Sequence, residues 1–300
     1  MVKCFCLVGL PGSGKSTYAK KLAKEYSANI HSSDAIREEP TGDINNQNNN
    51  DEVFKILHRR IKEDLTNGVN CIYDACNIRY KSRMEFVKSL NNIPCEKIAV
   101  LIATPYEVCI ERNEQRERNV SEEVIERMYM NFWVPAKYEG FDDVRIEYGE
   151  FTGYYGHLPE FYEKYKGYDQ HNKHHSLTLG EHCRKAARYL YNRCDVETYF
   201  AAFLHDCGKP FCATFLNKKG EITEECHYYG HEHVSSYMSL FYDYIDVINP
   251  IDVAIIIVWH MRPYIAWKQS GKAMQKDRKL LGEELFNEIV ELNKADIAAH

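Results

Sequence analysis

The stretch Gly9-Leu10-Pro11-Gly12-Ser13-Gly14-Lys15-Ser16-Thr17 fits the pattern G-x-x-x-x-G-K-[ST] and directly follows the apolar run Lys3 to Val8. Such a loop works only where a strand delivers it and a helix starts from it. Its glycines let backbone N–H groups turn inward around a polyphosphate, and the helix N-terminus adds its positive end. Lys15 then reaches the β and γ phosphates while the Ser16 hydroxyl faces Mg²⁺. Gly12, Ser13, Gly14, Lys15, Ser16 and Thr17 are thus the expected binding residues for ATP or another NTP with Mg²⁺. The stretches Ser27 to His31, Asn70 to Asp74, Lys97 to Ala103 and Val144 to Glu147 also read as strands. Helical spacings lie between them, as in Val53, Phe54, Leu57, Ile61 and Leu65. Strand and helix in alternation predict an α/β domain over residues 1–150, a parallel sheet with helices on both faces.

Three further constellations fall on successive loops at the carboxyl ends of those strands, where an open α/β sheet binds its ligands. In Ser33-Asp34-Ala35-Ile36-Arg37 a carboxylate and a guanidinium stand three residues apart. Asp34 can take the proton from an attacking hydroxyl and Arg37 can hold an acceptor phosphate, although an N-cap Asp beside a surface Arg fits the same residues. In Asp74-Ala75-Cys76-Asn77, Asp74 can organise Mg²⁺ and Asn77 can face the acceptor; a plain strand-end turn is the competing reading. Arg112, Arg116 and Arg118 read either as a lid that neutralises charge on the transferring phosphoryl group or as a solvated run with Glu111, Glu114 and Glu117.

Histidine divides the chain. Only His31 and His58 precede residue 150, and the other 11 of the 13 follow it. Residues 151–168 show neither helical nor strand period and are expected to be a linker. Beyond it, residues 169–300 read as an all-α domain, with helical segments over Leu179 to Leu190, Tyr199 to His205, Val234 to Tyr242, Ile251 to His260 and Leu280 to Ile297. His182, the adjacent pair His205-Asp206 and Asp296 stand far apart in sequence, as ligands drawn from separate helices must. Imidazole and carboxylate together suit Mn, Fe, Co, Ni or Zn.

Taken together, the first-half motifs resemble the polynucleotide 5′-kinases of bacteriophage and bacterial nucleic-acid repair, over about residues 1–148. The resemblance implies that Asp34 is the general base on a 5′-hydroxyl, that Arg37 grips the acceptor phosphate and that Arg116 contacts the donor phosphates. Cys76 departs from the Thr common in that family, as does the asparagine-rich run Thr41 to Asp51, expected to be a flexible loop near the acceptor. The second half resembles the HD phosphohydrolase superfamily in Tyr168-Asp169-Gln170-His171, His174-His175, Gly180-Glu181-His182, His205-Asp206-x-Gly208-Lys209, Gly230-His231-Glu232 and His260. That resemblance implies that His182, His205, Asp206 and Asp296 are the core metal ligands, that His231 and His260 match second-metal positions of binuclear members, and that Lys209 and Arg262 hold substrate phosphate. His227, His233 and His300 have no counterpart there and are expected at the surface.

The composition bounds what remains. The halves carry 21 Lys and Arg against 24 Asp and Glu, then 17 against 20, about −3 each, which argues against coating long duplexes but not against recognising an end. The 11 cysteines lack paired spacing, no apolar run approaches the ~18 residues of a membrane span, and no signal peptide opens the chain. A cytoplasmic protein with no membrane partner is the expectation. The combined reading is a bifunctional end-healing enzyme. It phosphorylates 5′-hydroxyl ends of RNA or DNA, hydrolyses 2′,3′-cyclic, 2′- or 3′-phosphate ends, and has a nucleic-acid ligase as a pathway partner. Two readings stay open beside it: a small-molecule or nucleoside kinase fused to an HD nucleotide phosphohydrolase, and an ATP-sensing module that regulates an HD hydrolase.

Overall fold

A computed structural model describes residues 1–41, 50–116, 119–149, 156–173, 176–244 and 248–300. Arg118, His174, His175 and most of the asparagine-rich run therefore lie outside the described residues. The chain forms two compact units, Met1–Ile125 with Pro135–Phe151, and Glu126–Val134 with Thr152–His300. Among the described residues no helix is long and apolar enough to cross a membrane.

The first unit holds a five-stranded sheet of β1 (Val2–Val8), β2 (Asn29–Ser32), β3 (Cys71–Asp74), β4 (Cys95–Ile102) and β5 (Asp143–Glu147). Its order is β2-β3-β1-β4-β5 and every pairing is parallel. Among the described residues this part of the chain has six α-helices: α1 (Lys15–Tyr26), α2 (Ser33–Thr41), α3 (Asn50–Thr66), α4 (Tyr80–Ser89), α5 (Tyr106–Glu114) and α6 (Glu122–Tyr129), the last continuing into the second unit. Strand period two sorts β1 between two cores. Cys4 and Cys6 pack with Leu57, Ile61 and Phe86, while Phe5 and Leu7 pack with Ala19, Leu22, Val100 and Ile102. Burial on both faces is why β1, β3 and β4 read as nearly continuous apolar runs, whereas β2 and β5 are only partly covered. One departure concerns Ser33 to Arg37, which is already the first turn of α2 rather than a loop.

The second unit is built on α7 (Leu158–Tyr165), α8 (Leu179–Leu190), α9 (Val196–Leu204), α10 (Lys209–Cys212), α11 (His231–Ser239), α12 (Pro250–Trp259), α13 (Gly271–Leu281) and α14 (Glu283–Ala299). Its core gathers Leu179, Cys183 and Ala186 of α8, Ala201 and Leu204 of α9, Val253 and Ile257 of α12, and Leu292 and Ala295 of α14. Tyr129, Phe132 and Trp133 belong to this unit too: Tyr129 meets Phe211 and Tyr237, Phe132 meets Tyr237, and Trp133 meets His233 and Trp259.

Three sequence expectations change here. Leu158–Tyr165, inside the expected linker, is helical and buries Phe161 and Tyr165; one short helix with only those two anchors shows no readable period. The expected helix Leu280 to Ile297 is two helices, separated at Gly282 with φ 83°, a left-handed conformation that glycine accepts without steric cost. The expected all-α half also contains an antiparallel hairpin of β6 (Ala213–Leu216) and β7 (Ile222–Tyr228). Phe215, Leu216 and Ile222 on it are exposed, so no buried face imposes alternation on the sequence.

Candidate active sites

In the first unit, β1 hands over to the glycine loop, where Gly12 and Gly14 take φ of 81° and 94°. A Cβ on Gly12 would sit 2.2 Å from Cys109 O, so this glycine is required both by conformation and by the close approach of α5. The buried Lys15 ammonium donates to Leu10 O at 2.7 Å. Ser16 Oγ donates to Asp74 Oδ2 at 2.9 Å, because β1 and β3 are neighbours and end side by side. A hydroxyl and a carboxylate so paired are the donors that Mg²⁺ takes beside a nucleotide. Burial raises the pKa of Asp74, while Lys15 and the Ser16 hydroxyl pull it back.

Asp34 and Arg37 share one face of α2, with Arg37 Nη1 3.0 Å from Asp34 Oδ1. The guanidinium side chain is 10% exposed and the carboxylate 50%, so a nearly buried cation anchors an accessible base. Asn77 has φ 49°, and its side-chain amide donates to Leu7 O at 2.9 Å. Its own carbonyl accepts from Arg83 Nη1 at 2.6 Å, and the rest of that guanidinium grips Glu139 through two 2.6 Å bonds. Arg83 and Glu139 are wholly buried and hold the loop that carries Asp74 and Asn77.

A cavity of about 700 Å³ opens beside the glycine loop, lined by Gly12 to Tyr18, Lys21, Ile102, Arg112, Arg116, Glu147 and Gly149. The glycine loop and both arginines thus share one cavity wall. Tyr18, Lys21 and Glu147 were not among the residues singled out in sequence: Tyr18 and Lys21 resemble any helix surface, and Glu147 sits at the end of a distant strand.

The second site lies inside the helical unit. His182 comes from α8, His205 and Asp206 from the end of α9, His231 from the start of α11, His260 from the end of α12 and Asp296 from α14. His182 Nε2 lies 3.2 Å from His205 Nε2, 3.4 Å from Asp206 Oδ2 and 3.0 Å from Asp296 Oδ1. On the other side of Asp206, Oδ1 lies 3.2 Å from His231 Nε2 and 3.9 Å from His260 Nε2. Asp206 therefore turns one oxygen to each of two donor groups. Gly208, just beyond it, lets α11 approach: an added Cβ would meet Ser235 N at 2.6 Å.

These donors fit a divalent metal. Nδ1 of His205, His231 and His260 lies 2.9, 2.7 and 2.6 Å from the carbonyls of Ala202, Tyr228 and Ile257. With Nδ1–H donating to those carbonyls, each Nε2 is left as a lone-pair donor aimed at the cluster. Donors about 2.1 Å from one ion stand about 3.0 to 3.4 Å apart for right-angled to tetrahedral arrangements, the spacing seen among His182, His205 and Asp206. The carboxylates draw positive charge into the cluster. Burial lowers His205, yet the Asp206 and Asp296 carboxylates outweigh it and push the imidazole up to about 10. Burial raises Asp206, but His205 and Lys209 hold it well below the usual carboxylate range. Burial, joined by His205 and His231, pushes His260 down to about 3.

Lys209 Nζ lies 2.7 Å from Asp206 Oδ2 and donates to Gln170 Oε1 at 2.8 Å. Arg262 is turned elsewhere: its guanidinium pairs with Asp277 Oδ2 at 2.7 Å and stacks over Trp259. Tyr264 OH, not anticipated, donates to Asp296 Oδ2 at 2.8 Å. Of the histidines expected at the surface, His233 differs from that reading, while His300 is exposed as expected. His233 is only 12% exposed, wedged against Trp133 with Nδ1 3.0 Å from Phe132 O. His300 reaches Asp296 Oδ1 at 3.5 Å because the two residues are four apart on one helix face.

A parallel α/β unit with a phosphate-binding loop and a helical unit with a buried His/Asp cluster define the class: a P-loop kinase fold joined to a helical HD domain. Residues 5–135 match the family described as AAA domain, and residues 173–297 match the family described as HD domain. The first implies ATP and Mg²⁺, the second a divalent metal. The chain is 26% identical over 164 residues to L-seryl-tRNA(Sec) kinase of Methanococcus maripaludis, an alignment covering 52% of this chain and 64% of that protein. It thus spans just under two thirds of that relative. Among solved structures, a chain of the Pnkp1/Rnl/Hen1 RNA repair complex aligns at 26% identity over 42% of each chain, with a TM-score of 0.39. A gluconokinase from Sinorhizobium meliloti aligns at 15% identity over 48% of this chain and 81% of that one, with a TM-score of 0.37.

Proposed function

We propose that this protein heals nucleic-acid ends, phosphorylating 5′-hydroxyl termini of RNA or DNA at the P-loop site and hydrolysing 2′,3′-cyclic, 2′- or 3′-phosphate termini at the HD site. The observation that carries the kinase half is the Asp34–Arg37 pair, an accessible carboxylate 3.0 Å from a nearly buried guanidinium. Such a pair serves an acceptor whose hydroxyl has a phosphate close by, as the first nucleotide of a strand does. Asp34 takes the hydroxyl proton, Arg37 seats the neighbouring phosphate, and Ser16 with Asp74 holds Mg²⁺. Lys15, Arg112 and Arg116 stabilise charge on the transferred group. The curated relative, named for a seryl group carried on a tRNA, supports an acceptor borne by nucleic acid but not the 5′-hydroxyl itself.

At the HD site His182, His205, Asp206 and Asp296 hold the metal, with His231 and His260 on the far side of Asp206 for a second ion. When bound, such a metal lowers the pKa of water and polarises the phosphoester. Lys209 supplies a cation for the substrate phosphate from a position fixed by Gln170 and Asp206. One hydrolysis opens a cyclic end to a phosphomonoester and a second releases inorganic phosphate; the resulting free 3′ end and the 5′-phosphate are what a ligase consumes, so a nucleic-acid ligase is the expected pathway partner.

The test is a short RNA with a 5′-hydroxyl and a 2′,3′-cyclic phosphate, incubated with ATP, Mg²⁺ and Mn²⁺, with both ends mapped. Asp34→Asn is expected to slow 5′ phosphorylation by about 10² to 10⁴. Arg37→Ala should lose more activity on a nucleoside 3′-phosphate than on the bare nucleoside. Phosphorylation of free nucleosides with no preference for a 3′-phosphate, and none of RNA, would replace this reading with that of a small-molecule kinase.

A further inference from the structure

His300 follows α14 and lies four residues beyond Asp296, so both side chains leave the same helix face. Its Nε2 is 3.5 Å from Asp296 Oδ1, the oxygen that also faces His182 Nε2 at 3.0 Å and His205 Nε2 at 3.7 Å. The donor atoms of His182, Asp296 and His300 all fall within 4.8 Å of one another, and the His182 and His300 rings stand 5.0 Å apart. Lys185 Nζ, 3.4 Å from both Ala299 O and His300 O, secures the backbone that carries the imidazole.

We infer that His300 Nε2 is a fifth protein donor to the ion held by His182, His205, Asp206 and Asp296, closing its solvent side. This rests on the divalent-metal reading of the cluster. A separate third ion is excluded by the donor arithmetic. His182 offers a single Nε2 lone pair, and that atom already lies 3.2 Å from His205 Nε2 and 3.4 Å from Asp206 Oδ2. An ion bound by His300 is therefore the one that His182 shares with His205 and Asp206. Exposure fixes where the fifth donor sits. The His300 side chain is 32% exposed, whereas those of the other four are 9% exposed or less. His300 is the ligand that solvent or a substrate phosphate meets first.

The experiment uses the full chain, stripped of metal and titrated with Mn²⁺ or Co²⁺, comparing wild type with His300→Ala. In His300→Ala the Mn²⁺ dissociation constant of one site is expected to rise about 10- to 100-fold. The visible absorption of the Co²⁺-loaded protein should change in intensity, as loss of a ligand alters coordination number. Circular dichroism of the metal-free proteins should coincide, since the exposed His300 side chain is not part of the bundle core. Lys185→Ala, which frees only the backbone, should shift the same constant in the same direction by less. Unchanged Mn²⁺ affinity with an unchanged Co²⁺ spectrum overturns the inference. So does an unchanged Mn²⁺ constant accompanied by weaker inorganic phosphate binding, which would make His300 a substrate contact. A wild-type protein that binds neither ion instead overturns the metal reading on which the inference stands.

Discussion

The two sites solve the same problem, control of phosphate charge, with different materials. The P-loop site uses backbone N–H groups of one short segment plus side chains at the ends of neighbouring strands, and much of it faces a cavity of about 700 Å³. The HD site uses side chains alone, brought from α8, α9, α11, α12 and α14 and almost entirely buried. A site made of backbone is fixed by local sequence and tolerates solvent. One made of buried imidazoles and carboxylates exists only once the bundle has packed, and each member depends on its partners, because an uncompensated buried charge is costly.

The sharpest way to break that comparison is to disable each site alone. Lys15→Ala is expected to reduce 5′ phosphorylation to background while metal-dependent hydrolysis of a 3′-terminal phosphate stays near wild type. Asp206→Ala should do the reverse, since it removes the carboxylate whose two oxygens face both donor groups. If either substitution silences both activities in a protein with unchanged circular dichroism, the sites are not independent. A smaller effect is expected at Glu139, which the first unit buries against Arg83. Glu139→Gln strips Arg83 of its charge partner and should cost about 3–5 kcal/mol of stability in urea unfolding, the usual penalty for breaking a buried pair. It should slow phosphorylation as well, since Arg83 holds the carbonyl of Asn77.

The smallest effect concerns a histidine whose burial, unlike that of His205, is not outweighed by carboxylates. His58 stands among Phe54, Tyr73 and Phe86, and burial, helped by Lys62, pushes it down to about 4. Between about pH 6.5 and 4 the unfolded chain binds a proton there that the native state refuses, so stability falls as the pH drops through that window. His58→Phe should flatten this part of the pH dependence, read as the urea midpoint at pH 7 and pH 5. An unchanged slope would mean that His58 is protonated in the native state.

The same contrast explains what could be read in advance. β1, β3 and β4 were legible to within about two residues because their buried faces leave a continuous apolar trace, and the glycine loop because its residues are contiguous. Ser16 and Asp74, 58 residues apart, were both visible because each closes a strand motif, although their 2.9 Å contact follows from strand order alone. The lining role of Tyr18 and Glu147 was invisible, since nothing local distinguishes a cavity wall from a helix surface. In the helical unit, His205-Asp206 announces itself, whereas the approach of His300 and Tyr264 to Asp296 depends on how α14 packs. The paired spacing of Asp296 and His300 was the one available signal for the former.

The membership of Glu126–Val134 in the second unit bears on how this protein can be dissected. The polypeptide passes between the units three times, after Ile125, after Val134 and again after Phe151, so no single cut yields two intact halves. A fragment beginning near residue 151 would lack Tyr129, Phe132 and Trp133 and so would remove three of the rings that pack on Phe211, Tyr237, His233 and Trp259. A fragment ending at 150 would carry those same rings without the helical unit they pack in. Any attempt to trade one activity onto another scaffold must therefore move the nine-residue excursion along with the helical unit and rejoin Ile125 to Pro135 by a new connection.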